Sequence, residues 1–216
     1  MIKIYKADSD KVSQKNDLKN LLKDLPKIMH ERAFRYRFEK DAYNFVLGRL
    51  LLKKGLEELG MGNQLEHITY QDNGKPFLKN VFFNISHSEN LVVCVLSTKG
   101  EIGIDVEKEK PVNLENFKPW FTIKERTDIK NAPFPIRKFY WYWTRKESII
   151  KALGVNLSYL HQIELDPAQD FFMDKGKKWY LKDLDFGSNF FGALCSEING
   201  SIKLRYHHVD FFNRSK

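Results

Sequence analysis

Apolar and polar positions alternate along the chain in two successive runs of the same kind, each a strand followed by helices and then more strands. Residues 2–7 have the two-residue period of a strand. Helical spacing covers 14–24 and 29–59, the longer segment carrying Phe34, Phe38, Phe45, Leu52 and Leu56. Gly60-Met61-Gly62-Asn63 predicts its end, because Gly and Asn tolerate the left-handed conformation at a helix C-terminus. Strands are expected at 67–71, 81–86 and 91–97, and at 101–107 after a turn at Lys99-Gly100. Pro111 breaks the pattern, helices follow at about 122–130 and 134–153, and Gly154 closes the second. Strands then recur at 171–172, 178–181, 190–197 and 203–209. Short turns join consecutive strands, so the fold class is α+β with antiparallel sheets and long helices. Cys94 and Cys195 fall in late strands of the two runs, which points to two similar lobes, 1–100 and 101–216.

Composition narrows the class. The 216 residues are 42% apolar and 30% charged, with 17 Phe, 9 Tyr and 4 Trp, which excludes a disordered or collagen-like chain. The longest apolar run, Leu91-Val92-Val93-Cys94-Val95-Leu96, falls far short of the roughly 20 residues that cross a bilayer. The start lacks the apolar core of a secretory signal, so the expected compartment is the cytoplasm. Two cysteines inside apolar strands make no disulfide framework and no zinc spacing. The net charge of +8 favours an anionic partner: nucleic acid, a phosphorylated small molecule or an acidic protein.

Four stretches carry chemistry. In Glu101-Ile102-Gly103-Ile104-Asp105-Val106-Glu107, strand alternation puts Ile102, Ile104 and Val106 on one face. Gly103, Asp105 and Glu107 share the other. Asp105 and Glu107 then lie roughly 6–7 Å apart, close enough to converge on one hard cation. A solvated strand face is the competing reading. In the segment from Phe139 to Leu153, Phe139, Trp143, Glu147 and Ile150 form one helical stripe, with Lys151 one turn beyond Glu147. A carboxylate in an apolar row is costly to bury unless it is paired or holds a metal. An ordinary surface pair of Glu147 with Lys151, worth about 0.3–0.5 kcal/mol, and a capping box from Thr144 to Glu147 are the alternatives. Asn84-Ile85-Ser86-His87-Ser88 gathers donors at a strand end, where they suit phosphate oxygens, although a lone His is more often structural. Gly74-Lys75-Pro76 puts a cation on what is otherwise simply a turn.

Taken together and in order, Gly74-Lys75-Pro76, Asn84 to Ser88, Ile102 to Glu107, and Trp143-Thr144-x-Lys146-Glu147-Ser148-x-x-Lys151-Ala152 closely resemble the two-lobed, Sfp-like 4′-phosphopantetheinyl transferases over residues 30–158. The resemblance implies two pseudo-twofold-related α/β lobes with coenzyme A bound in the cleft between them. It implies transfer of phosphopantetheine from coenzyme A to a serine of an acidic apo carrier protein by a monomer. Asp105, Glu107 and Glu147 match the family's Mg²⁺ ligands, and Glu147, Lys151 and Asp105 its catalytic positions. Lys75, Ser86, His87, Arg32 and Lys151 match coenzyme-binding positions. Glu125, in Phe121-Thr122-x-x-Glu125, matches a family glutamate given a base or supporting role, while its local reading is the Glu of a capping box. The sequence departs from the pattern at Met29, where a lysine is common, and at Gly154-Val155-Asn156, where Gly-x-Gly is common. The stretch 111–121, with Phe117, Trp120 and Phe121, is either the carrier's docking surface or core beneath a loop. Two other functions fit parts of the pattern. A metal-dependent nuclease would use the same carboxylates, and a nucleic-acid-binding module would rest on charge alone.

Overall fold

A computed structural model describes residues 2–198 and 205–208. In chain order the strands and helices are β1 (Ile2–Asp8), α1 (Ser9–Ser13), α2 (Leu18–Leu22), α3 (Lys27–Ala33), α4 (Glu39–Glu57), β2 (Thr69–Tyr70), β3 (Pro76–Phe77), β4 (Phe82–Ser88) and β5 (Leu91–Ser97). Then come β6 (Ile102–Lys108), α5 (Ile123–Asn131), α6 (Pro135–Leu153), β7 (Phe171–Asp174), β8 (Lys177–Leu184), β9 (Phe190–Ser196) and β10 (Arg205–His208). Short 3-10 turns occupy Gly62–His67, Leu114–Trp120 and Leu157–Gln162. The α+β class is as expected, with antiparallel pairing throughout except for β1 and β10, which run parallel.

The described chain forms two compact units. The first holds 2–70, 76–99 and 205–208, and its sheet order is β10-β1-β5-β4. Helix α4 lies on this sheet and buries Phe45, Val46, Leu50 and Leu52 with Phe83, Val92, Cys94 and Leu96. The second unit holds 71–75 and 100–198, and its sheet order is β6-β9-β8-β7. Both sheets share one connectivity, in which the leading strand pairs antiparallel with a late strand: β1 with β5, and β6 with β9. Cys94 and Cys195 occupy those late strands, and both are free and buried.

Several boundaries differ from the expectation. A split at residue 100 assigns everything after it to the second lobe, yet β10 adds to the free edge of β1, and the hairpin tip 71–75 belongs with the second unit. Of the strand expected at 203–209, residues 203, 204 and 209 lie outside the described residues. The helix expected at 29–59 is two helices. Phe34 and Phe38, two of the apolar residues at helical steps in that segment, are 60% and 61% exposed, and Phe38 is the extended residue before α4. Glu39 and Asp41 in the first turn of α4 favour a new helix start there through the helix dipole. Likewise 14–24 shrinks to α2, because the Asp17 carboxylate accepts from the Lys19 backbone N–H and caps a fresh helix. The strand at 67–71 shortens to the two residues of β2.

Candidate active site

Helix α6 crosses β6 and β9 and sends side chains in three directions. Toward β8, Arg145 Nε and Nη2 donate to the two Asp183 carboxylate oxygens at 2.8 and 3.1 Å. Toward the 3-10 turns, the fully buried Lys146 ammonium donates to the carbonyls of Trp120 (2.8 Å), Leu160 (3.2 Å) and Ile163 (2.7 Å). It also pairs with Glu125 Oε2 at 2.7 Å. Toward β6 the helix approaches unusually closely. A Cβ on Gly103 would stand 2.2 Å from the Ser148 carbonyl oxygen and 2.4 Å from the Ala152 nitrogen, so only glycine fits. The face shared by Gly103, Asp105 and Glu107 is therefore the one against α6, not a solvated one. Ile102, Ile104 and Val106 are fully buried.

Two residues along β6 from that contact, Asp105 meets Lys151, with Nζ 2.6 Å from Oδ1. The Asp105 side chain is almost completely buried and Lys151 is partly open. Glu147, one turn before Lys151, is partly buried, and its carboxyl is pushed up to about 7. Burial is the largest cause, followed by the Asp105 charge; Lys151 acts in the opposite sense and Glu107 adds to the rise. Three carboxylates and the Lys151 ammonium thus share one field. Lys151 takes its ion pair from Asp105 across the sheet, whereas the local pattern offers Glu147 as its partner.

The other expected site residues fall elsewhere. Lys75 lies in the hairpin tip of the second unit, its ammonium on Glu101 Oε2 (2.6 Å) and the Ala152 carbonyl (2.7 Å). Ser86 and His87 sit within β4 rather than in a loop, Ser86 buried and His87 exposed on alternate faces. In the first unit Arg32 Nη1 donates to the Tyr70 hydroxyl at 2.7 Å, and its guanidinium lies 5.3 Å from the Phe45 ring centre. Arg49 covers the same ring at 5.0 Å. Arg32, Arg35, Tyr36, Phe45 and Tyr70 line a cavity of about 680 Å³, and Met29 reaches it too.

Glu125 is buried and bound by the backbone. Its carboxylate accepts from the Thr122 N–H at 2.9 Å, completing a capping box, and from the Leu165 N–H at 3.0 Å. Phe117 packs edge-on against Phe139 and Trp143, at 4.8 and 5.1 Å, inside an aromatic cluster. Sequence reasoning passed over Lys146, Asn73 and Glu101. Lys146 stood within the last motif, but its partners, like those of Asn73, are far away in the chain.

Comparison with known proteins agrees with this architecture. Residues 101–192 match the 4′-phosphopantetheinyl transferase superfamily and residues 12–99 the N-terminal region of 4′-phosphopantetheinyl transferases. Relatives include the 4′-phosphopantetheinyl transferase Sfp of Bacillus subtilis, 31% identical over 90% of this chain and 92% of its own. The 4′-phosphopantetheinyl transferase HetI of a Nostoc species is 32% identical over 76% of this chain and 75% of its own. The chain belongs to the 4′-phosphopantetheinyl transferase superfamily and is an enzyme of that class. Among the described residues no helix is long and apolar enough to cross a membrane.

Proposed function

We infer that this enzyme transfers the phosphopantetheine group of coenzyme A to a serine of an acidic apo carrier protein, in the cytoplasm and as a monomer. The observation that carries the reading is the meeting of Asp105, Glu147 and Lys151 where β6 touches α6, in a chain of this family. The serine oxygen would attack the phosphorus bearing pantetheine, and the bond to the departing phosphate would break to release adenosine 3′,5′-bisphosphate. Glu147, directly or through water, would accept the serine proton. The Lys151 ammonium would meet the charge growing on the leaving phosphate. Arg32, Ser86 and His87 would hold the coenzyme, and the guanidinium-and-aromatic lining around Arg32 suits an adenosine phosphate.

Asp105, Glu107 and Glu147 would hold Mg²⁺. Their donor chemistry fits a hard cation, and Glu147, raised first by burial and then by the Asp105 charge, would gain from one more positive charge beside it. Among the described residues no three His, Cys, Asp or Glu side chains stand ready as a metal centre, so the ammonium on Asp105 would have to yield. Bound there, Mg²⁺ would neutralise the pyrophosphate and polarise the attacked phosphorus.

For the carrier, the second unit offers a cavity of about 450 Å³ floored by Leu114, Phe121, Ile129 and Phe139 and edged by Lys118, Arg126 and Lys130 against one carboxylate, Glu115, which pairs with Lys118. A basic edge around an apolar floor suits an acidic partner. The deciding experiment incubates the protein with Mg²⁺, coenzyme A and several apo carriers and then weighs each carrier. Added phosphopantetheine mass on one of them supports the reading, and none on any overturns it.

A further inference from the structure

The hairpin tip 71–75 is fastened by two contacts to the end of α6 and by a third to the residue before β6. The Asn73 amide donates to the Gly154 carbonyl, and the Lys75 ammonium donates to the Ala152 carbonyl at 2.7 Å and pairs with Glu101 at 2.6 Å. Only 10% of the Lys75 side chain is exposed, so this ammonium is committed rather than displayed. The tip is itself braced: the Lys75 N–H donates to Asn73 Oδ1 at 2.8 Å, and Gly74 takes the left-handed turn at φ +81°. The helix end is shaped to receive it. Gly154 has φ +68°, and a Cβ there would stand 2.8 Å from the Asn73 amide nitrogen and 3.2 Å from Lys75 Cδ.

The final carbonyls of a helix have no partner within it, and a cation beside them also meets the negative end of the helix dipole. The tip supplies two donors to that end, one of them charged. Ala152 adjoins Lys151, whose ammonium leaves the same last turn to meet Asp105. The geometry points to a latch: Asn73 and Lys75 are positioning residues that hold the last turn of α6 and thereby aim Lys151, with Lys75 acting on the helix rather than as a contact to the coenzyme. This assignment rests on the transferase reading given above.

The test compares Lys75→Met, Lys75→Arg and Asn73→Ala with the unaltered enzyme, using Mg²⁺, coenzyme A and an accepted carrier. Lys75→Met and Asn73→Ala are expected to lower kcat by roughly 10- to 100-fold, the scale of a small misplacement of a catalytic group. KM for coenzyme A should stay within about twofold, and Lys75→Arg should regain most of the rate. A raised KM for coenzyme A with kcat preserved makes Lys75 a coenzyme contact and overturns the latch. Amide hydrogen exchange at residues 150–155 gives a readout independent of turnover. The Gly154 and Val155 N–H groups, which donate to the Ile150 carbonyl, should exchange faster in both weakened variants. Unchanged exchange overturns the latch. If the unaltered protein modifies no carrier, the functional reading fails, and exchange still decides whether the tip holds the helix. Asn73→Ala, which leaves the buried charge intact, keeps the test open should Lys75→Met fold poorly.

Discussion

Helix α6 carries two lysines, Lys146 and Lys151, that meet carboxylates in opposite ways. Lys146 is sealed: its ammonium faces one carboxylate, Glu125, and three carbonyls surround it, so that every N–H has an acceptor. Glu125 is equally saturated by two backbone N–H groups. Lys151 faces Asp105, but Glu147 and Glu107 add their charge to the same field, and Glu147 is driven up to about 7, by burial first and then by the neighbouring carboxylates. A balanced pair with every bond made is a strut, because nothing is gained by opening it. An unbalanced cluster at a partly open edge gains from one more cation or an incoming phosphate. Charge balance, rather than the presence of a buried ion pair, is what distinguishes the two lysines.

Four substitutions put that contrast at risk. Asp105→Ala should bring the largest change, a fall in kcat/KM of at least about a thousandfold, near 4 kcal/mol. Its Tm should stay within a few degrees of the unaltered enzyme, since the apolar residues of β6 occupy the opposite face. Substantial Mg²⁺-dependent transfer by this variant would remove Asp105 from the metal site. Lys146→Met should show the reverse signature. Removing one partner of a buried pair destabilises by about 3–5 kcal/mol. Thermal unfolding should therefore fall by roughly 10 °C, and adding Glu125→Gln should recover part of it. An unchanged Tm would mean Lys146 is no strut.

Lys151→Ala should lose kcat by roughly a hundredfold and coenzyme A affinity by much less, because an interaction made mainly in the transition state lowers kcat without a matching change in binding. A pure rise in KM would make it a binding residue. The smallest effect is in stability. A carboxyl whose pKa is raised on folding favours the native state while protonated. That contribution is complete below the ordinary value of 4.5 and disappears as pH rises toward about 7. In a chelating buffer Glu147→Gln should therefore melt with the unaltered protein at pH 4 and a few degrees above it at pH 8. Coincident melting curves at both values would show that Glu147 carries no excess charge. Glu147→Gln should also lack transfer, and extra Mg²⁺ should restore little.

Much of the site was legible in order and spacing. Alternation along β6 put Gly103, Asp105 and Glu107 on one face, and that face meets α6. Helical spacing brought Glu147 and Lys151 to one side, and the Thr122-to-Glu125 cap was readable as a local box. What could not be read were partners. A surface pair of Lys151 with Glu147 was one alternative the spacing left open, and Lys151 pairs with Asp105; Lys75 looked like a cation on a turn and is held by Glu101 and Ala152. Ser86 and His87 looked like one cluster, yet strand alternation separates them. Phe34 and Phe38 fitted helical steps by spacing and are exposed where the chain leaves one helix for the next.

By itself the sequence determined the succession of strands and helices, the shared faces of β6 and the family, because each depends on steric periodicity and on the order of residues along the backbone. Tertiary structure decided which charge meets which. Ion pairing is set by distances between segments tens of residues apart, and one glycine fixes the closest of these approaches. Where Gly103 lets α6 settle onto β6, Asp105 reaches Lys151 and Glu147 is left with more negative charge around it than one ammonium offsets.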